Sequence, residues 1–264
     1  MIPSPRQSLS RDASLPDEFP TSWACEWGQD RYGVWLAFRL RGVRQCLRWL
    51  PPGEFWMGSP QDEPYRSDDE ILHRVKLTRG FWLADTACTQ ALWEVVTGVN
   101  PSHFKGAQRP VEKVSWEDVQ DFIQRLNGLV PGGGFRLPTE AEWEYACRAD
   151  TRTPYWFGNE ITRQQANFGA EETVEVRARP CNGWGLYQMH GNVWEWCSDS
   201  MGSYDKGPVS DPTGPAEGED RVLRGGGWIY DGRDLRSAHR NAIHFAIHSY
   251  DFGFRLARGR AVGG

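Results

Sequence analysis

The chain has 264 residues, of which 39% are hydrophobic and 25% charged, with a mean hydropathy of −0.63 and a net charge of −5. That balance buries a sizeable core, offers no clustered positive surface to a nucleic acid, and holds no apolar run long enough to cross a bilayer. The outlying number is 14 Trp; each brings a large apolar area and one N–H that needs an acceptor, which favours loops pinned by aromatic plugs over a Leu-rich bundle.

Residues 1–20, rich in Pro, Ser, Asp and Arg, read as a tail, and 21–264 as a single domain. No apolar segment follows Met1, so no signal peptide is read and a cytoplasmic location is the default. The six Cys are widely spread without CxxC spacing, the pattern of reduced, buried thiols. Residues 32–38 and 45–50 read as two strands across a short turn, and Pro51-Pro52-Gly53 breaks the chain before a further strand at 54–59. An acidic loop covers 60–72, and strands resume at 75–78 and 81–83. Three helices follow. Thr89 caps the first, which Gly98 stops; Ser115 opens the second, with Val119, Phe122, Ile123 and Leu126 on one face; Thr139-Glu140-Ala141-Glu142 is a capping box for the third. Beyond residue 150 helix signals stop, and short apolar pieces alternate with Gly, Pro, Asn and Asp. Helices early and strands and loops late give an α+β class. The Arg-rich C-terminal part (Arg224, Arg233, Arg236, Arg240, Arg255, Arg258, Arg260) reads as structural ion pairs and hydrogen-bond donors.

Several strings carry more. They are Pro51-Pro52-Gly53-Glu54-Phe55-Trp56-Met57-Gly58-Ser59, Arg136-Leu137-Pro138-Thr139-Glu140-Ala141-Glu142-Trp143-Glu144, Gly191-Asn192-Val193-Trp194-Glu195-Trp196, Arg224-Gly225-Gly226-Gly227-Trp228 and Gly253-Phe254-Arg255. Their order and spacing over about residues 45–258 resemble the formylglycine-generating enzyme (sulfatase-modifying factor) superfamily. The resemblance implies a C-type-lectin-like fold with much irregular loop structure. The enzymes of that superfamily oxidise a substrate cysteine with two copper-binding cysteines just after their Gly-Gly-Ser-Tyr/Trp motif, thiolates being suited to soft Cu(I). Here that stretch is Gly226-Gly227-Trp228-Ile229-Tyr230-Asp231-Gly232-Arg233-Asp234, and no cysteine follows Cys197. A second branch, the iron-dependent sulfoxide synthases, uses a His-x3-His-x-Glu element on a separate helical domain; His244 and His248 lack the carboxylate and read as loop histidines.

A third branch, the variable proteins of diversity-generating retroelements, is similar at the C-terminal end. Its variable region runs from Arg-Gly-Gly-Ser/Gly-Trp to Gly-Phe-Arg-Leu, as Arg224 to Leu256 does here, within a variable region of about 224–258. The resemblance implies variable sites descended from AAC codons, whose adenine substitutions never yield Lys, Glu, Gln, Met or Trp. Residues 1–228 hold 51 of those five types; residues 229–252 hold none, where about five would be expected at the same rate. The residues read as variable and ligand-binding are Ile229, Tyr230, Asp231, Asp234, His239, Asn241, Ile243, His244, Ile247, Ser249, Tyr250 and Asp251. Arg233, Leu235, Arg236, Ser237, Ala238 and Arg240 read as scaffold between them. A non-catalytic protein that binds a protein or other macromolecule through this face is the implied function. An enzyme using an unrecognised site and a structural accessory domain are the alternatives. No cofactor is required. The resemblance also implies a calcium site of hard oxygen ligands, from Gln188, Gly191, Val193 and Glu195.

Overall fold

Turn chemistry sets the first sheet. Strands β1 (Glu26–Asp30), β2 (Gly33–Leu40) and β3 (Val43–Leu50) form an antiparallel meander. Between β2 and β3 only Arg41 and Gly42 intervene, at φ 48° and 89°; positive φ at both central residues matches the right-handed twist of the flanking strands. The hairpin lies where sequence reasoning puts it, whereas β1 carries no apolar alternation, being a mostly solvent-facing edge. In the computed structural model residues 15, 16 and 18–259 are described, so most of the tail read at 1–20 lies outside them.

Strands β4 (Gly53–Met57), β5 (His73–Leu77) and β6 (Phe81–Ala84) come next, and then helices α1 (Gln90–Thr97) and α2 (Trp116–Leu129), strand β7 (Phe135–Arg136) and helix α3 (Glu140–Arg148). Each helix starts at the residue its sequence nominates. Thr89 accepts from the Leu92 N–H, and Ser115/Asp118 and Thr139/Glu142 close reciprocal capping boxes. The later strands are short: β8 (Trp194–Ser200), β9 (Val209–Ser210), β10 (Asp220–Arg224), β11 (Arg240–His244), β12 (Phe252–Gly253) and β13 (Ala257–Arg258).

They form three sheets, ordered β1-β2-β3-β6-β13-β7, β11-β10-β8-β12 and β4-β5-β9. The chain's end returns to its beginning, because β13 pairs antiparallel with both β6 and β7. The segment between β8 and β13 is thereby held at both ends by sheet. The main core packs Trp82, Phe122, Trp194, Trp196, Phe254 and Leu256 together, and a second cluster surrounds Trp143 and Met189. Indole N–H groups tie loops to this core: Trp196 donates to the Val114 carbonyl at 3.0 Å, Trp116 to Cys197 at 2.9 Å and Trp228 to Tyr250 at 3.1 Å. The fold is the mixed helix-and-sheet, loop-rich arrangement that the sequence implies.

Candidate recognition surface

The segment from Arg224 to Leu256 stands on buried ion pairs whose halves come from different parts of the chain. Arg224 is bonded to Glu144 and, at 3.0 Å, to the carbonyls of Ala238 and His239. Arg236 reaches Glu63 at 2.7 Å and grips Glu70 with two bonds of 2.7 and 2.8 Å. Arg240 forks onto Glu140 at 2.9 and 2.7 Å, beneath the Tyr204 ring. Arg255 forks onto Glu195 at 2.6 and 2.7 Å. All four guanidinium groups are buried. A charge taken from water needs a partner of matched geometry, and a bidentate Arg–carboxylate pair meets that need. Every arginine here belongs to the segment or its flanks, and every carboxylate to residues 63–195, so the segment is locked without needing an acid of its own. The C-terminal arginines read as ion pairs and hydrogen-bond donors are so placed at 224, 236, 240 and 255; Arg258 donates to the Gly133 carbonyl at 2.7 Å, Arg233 pairs with Asp231 at 3.3 Å on the surface, and Arg260 lies outside the described residues.

Of the twelve residues read as variable, all but one reach the surface. Ile229, Asp231, Ile247 and Tyr250 are exposed, and Tyr230, Asp234, His239, Asn241, Ile243, His244 and Ser249 are partly exposed. Asp251 is the exception, 3% exposed. Its Cβ lies against Gly227, and its carbonyl accepts the Trp194 N–H at 2.7 Å, so the pairing of β12 with β8 pulls it inward. Burial raises its carboxyl above the ordinary value. Tyr230 is intermediate, its ring edge-on to Trp194 at 5.5 Å.

Neighbouring loops hold this segment by its backbone. Lys113 N–H donates to the Ser249 carbonyl at 2.9 Å, Trp116 N–H to Phe245 at 3.0 Å, Gly169 N–H to Tyr230 at 2.9 Å, and Phe245 N–H to Glu219 at 2.8 Å. Strand β11 pairs with β10 through the full register Asp220↔His244 to Arg224↔Arg240. Such bonds are blind to side-chain identity. Next to Trp228 and Tyr250 lie two aromatic residues that sequence reasoning did not assign to the face, Phe104 (5.2 Å from Trp228) and His103 (6.2 Å from Tyr250). Their loop is distant in sequence and carries no motif. The carboxylate partners Glu63, Glu70, Glu140 and Glu144 carry no assigned role in the sequence either; Glu63 and Glu70 show only as part of the acidic loop at 60–72, and Glu140 and Glu144 only as part of the string 136–144.

The residues read as calcium ligands do not fit that ion. Both Glu195 oxygens are taken by Arg255, and Oε2 also accepts the Trp143 indole N–H at 2.7 Å. A guanidinium thus occupies the place of a cation. The Gly191 carbonyl accepts the Val193 N–H at 3.0 Å. Gln188 Oε1 is buried without a partner, but one neutral amide oxygen falls short of the six to eight ligands, carboxylates among them, that calcium takes. Among the described residues no group of three or more His, Cys, Asp or Glu is arranged for a metal. All six cysteines are free thiols. Cys147 lies 3.8 Å from His190 Nε2, yet burial pushes the thiol up to about 12 and the imidazole down to about 4. Both are neutral at pH 7, the inverse of an activated thiolate pair.

A family model described as "Sulfatase-modifying factor enzyme 1-like domain" matches residues 44–260. The chain belongs to this family. Among its relatives, the formylglycine-generating enzyme of Streptomyces coelicolor is 32% identical over 296 residues, covering 84% of this chain and 91% of that protein. "Serine/threonine-protein kinase pkn1" of Chlamydia caviae is 43% identical over 159 residues, 58% of this chain and 24% of the kinase, so this chain matches only about a quarter of that relative's length. Among solved structures, Treponema denticola variable protein 1 superposes with a TM-score of 0.77 at 28% identity, over 85% of this chain and 98% of that one. The fold is therefore the C-type-lectin-like one of the formylglycine-generating enzymes. The fold is shared by an enzyme and by a variable protein, and family membership alone does not choose between them. No helix among the described residues is long and apolar enough to cross a membrane.

Proposed function

We propose that this sulfatase-modifying-factor domain is a non-catalytic binding protein whose face from Ile229 to Tyr250 is a diversified recognition surface. The observation that carries this reading is the division of labour within one segment. Its arginines are buried on distant carboxylates and its backbone is bonded to neighbouring loops, while eleven of the twelve residues read as variable reach the surface. A scaffold held this way accepts many side-chain sets without refolding. The set present combines Tyr230 and Tyr250, rigid anchors with few rotamers, with the exposed Ile229 and Ile247, apolar side chains suited to being covered by a protein partner. The likeness to Treponema denticola variable protein 1 supports the reading, as does the lack of a cysteine after Cys197.

The test is to select a protein ligand for this chain from a broad library and then change the eleven surface positions to Asn, leaving Asp251 and the scaffold intact. Binding should weaken by at least ~100-fold, since two lost anchors at ~1.5 kcal/mol each already give that factor. Circular dichroism should be unchanged. An Asn version that binds as tightly as the parent would place recognition elsewhere.

A further inference from the structure

Away from the exposed positions of the segment, a cavity of about 470 Å³ opens beneath the loop 202–215, between the N-terminal end of α3, the end of β8 and the small sheet β4-β5-β9. Its volume falls within the range of small-molecule sites. Asp199 and His73 are among the buried polar residues of its wall. Asp199 is 4% exposed; its Oδ2 takes the Glu140 N–H at 3.0 Å and the Ser198 hydroxyl at 2.9 Å, while its Oδ1 takes no hydrogen bond from the described residues. His73 is also 4% exposed. Its Nδ1 donates to the Ile71 carbonyl at 2.8 Å, which fixes the ring in the cavity wall. The Tyr204 ring, 4.8 Å from that of His73, and Met57 supply apolar wall.

The cations nearby are already committed. Arg240 gives two bonds to Glu140 and a third to the Gly202 carbonyl at 2.9 Å, and the Tyr204 hydroxyl donates to Glu140 at 2.9 Å. Asp199 has no ion-pair partner among the described residues. A buried carboxylate with one oxygen left unpaired calls for a ligand that donates hydrogen bonds and brings positive charge. An ammonium group has three donors and no acceptor. We propose that this cavity binds a small primary amine as its ammonium ion, held by Asp199 Oδ1 with the amine's short carbon chain against His73, Tyr204 and Met57. Burial, reinforced by the neighbouring Glu140, pushes the Asp199 carboxyl up to about 7. At pH 7 a fraction of the protein is protonated there, and pairing with an ammonium favours the carboxylate, so binding expels a proton. Glu140, His73, Tyr204, Arg240 and the mouth residue Asp205 are the other charged or titratable groups facing the site.

The probe is aminohexanol, with hexanediol as its uncharged counterpart of the same length, in titration calorimetry of the full chain in phosphate and in MOPS at pH 7. Saturable binding of the amine alone is expected, with an apparent enthalpy that differs between the buffers because a proton is released. Asp199→Asn keeps an oxygen for the Glu140 N–H and should weaken binding by about tenfold or more, in line with the loss of a charge-assisted bond. Thr213→Trp, a change at an exposed position of the mouth, should block the cavity without touching the buried network, and it decides the matter if Asp199→Asn fails to fold. No saturable heat with aminohexanol, equal binding of hexanediol, or parent-like affinity in Thr213→Trp would overturn the proposal. None of these outcomes bears on the recognition surface.

Discussion

Arg236 and Glu70 stand 166 positions apart in the chain and meet side by side, Nη2 to Oε1 at 2.7 Å and Nη1 to Oε2 at 2.8 Å, with side chains 2% and 0% exposed. This pair ties the middle of the outward-facing segment to the acidic loop at 60–72. Glu63 closes on the same guanidinium at 2.7 Å. The segment's shape is thus set from below, by residues that make no part of its surface.

Removing one half of that pair should be costly. Arg236→Ala leaves Glu70 and Glu63 buried without their cation, and a loss of about 3–5 kcal/mol is expected from denaturant unfolding. Burial opposes ionisation of Glu70, but His239 at 3.6 Å and the hydrogen bonds from Arg236 and the Ser59 hydroxyl outweigh it and hold the carboxyl well below the usual range. A carboxyl lowered in the folded state stabilises fully above its unfolded value of about 4.3 and loses that contribution as pH falls. Stability should therefore decline from pH 5 to pH 2, and Glu70→Gln should flatten the decline. An unaltered acid slope would show that the pair carries no linkage.

Substitution on the outer face should be nearly free. Ile229, His244 and Tyr250 changed together to Ala should cost no more than about 1 kcal/mol, a shift of a few degrees in Tm. Tyr230→Ala should cost more, about 1–3 kcal/mol, because its ring packs on Trp194 and beside Leu235. Collapse of the triple variant would mean that these side chains belong to the core.

Glu112 should act in the opposite sense to Glu70. It is buried, its Oε1 accepts the Phe104 N–H at 2.8 Å, and burial pushes its carboxyl up to about 7. The folded state then holds a proton that the unfolded state has released, so this group lowers stability as pH rises from about 4.3 to 7. Glu112→Gln keeps the acceptor for Phe104 and removes the titration. Its stability relative to the parent should climb across that window, at up to about 1.4 kcal/mol per pH unit. A constant difference between pH 5 and pH 8 would contradict the assignment.

Calcium should leave the protein unmoved. With Arg255 forked onto Glu195, adding the ion or a chelator is expected to shift Tm by less than a degree or so, because only a ligand bound by the native state raises stability by mass action. A rise of several degrees with calcium, lost in Gln188→Ala, would restore the site.

Copper should not confer oxidase activity. Incubation with copper and a cysteine-containing sulfatase peptide should leave the peptide thiol intact, since the thiols present are isolated and Cys147 is buried with its pKa pushed up to about 12. Aldehyde formation detected by mass spectrometry would refute the non-catalytic reading.

What the sequence determined by itself was local or compositional. Thr89, Ser115 and Thr139 start their helices because a cap acts within one turn. The β2–β3 hairpin follows from two apolar runs, 32–38 and 45–50, close enough in sequence to pair across a short turn. The strings around Trp143, Trp194 and Trp228 carry the family, and the family carries the fold. The tertiary structure decided what depends on distant partners. It gave Glu195 to Arg255, because a guanidinium sixty positions away reaches both of its oxygens. It buried Asp251 while exposing Tyr250, because the pairing of β12 with β8 turns one side chain inward and its neighbour out. It brought His103 and Phe104 beside Tyr250 and Trp228, and Glu63 and Glu70 under Arg236. No periodicity or spacing encodes such meetings; they follow from the loops that the buried aromatics and ion pairs hold in place.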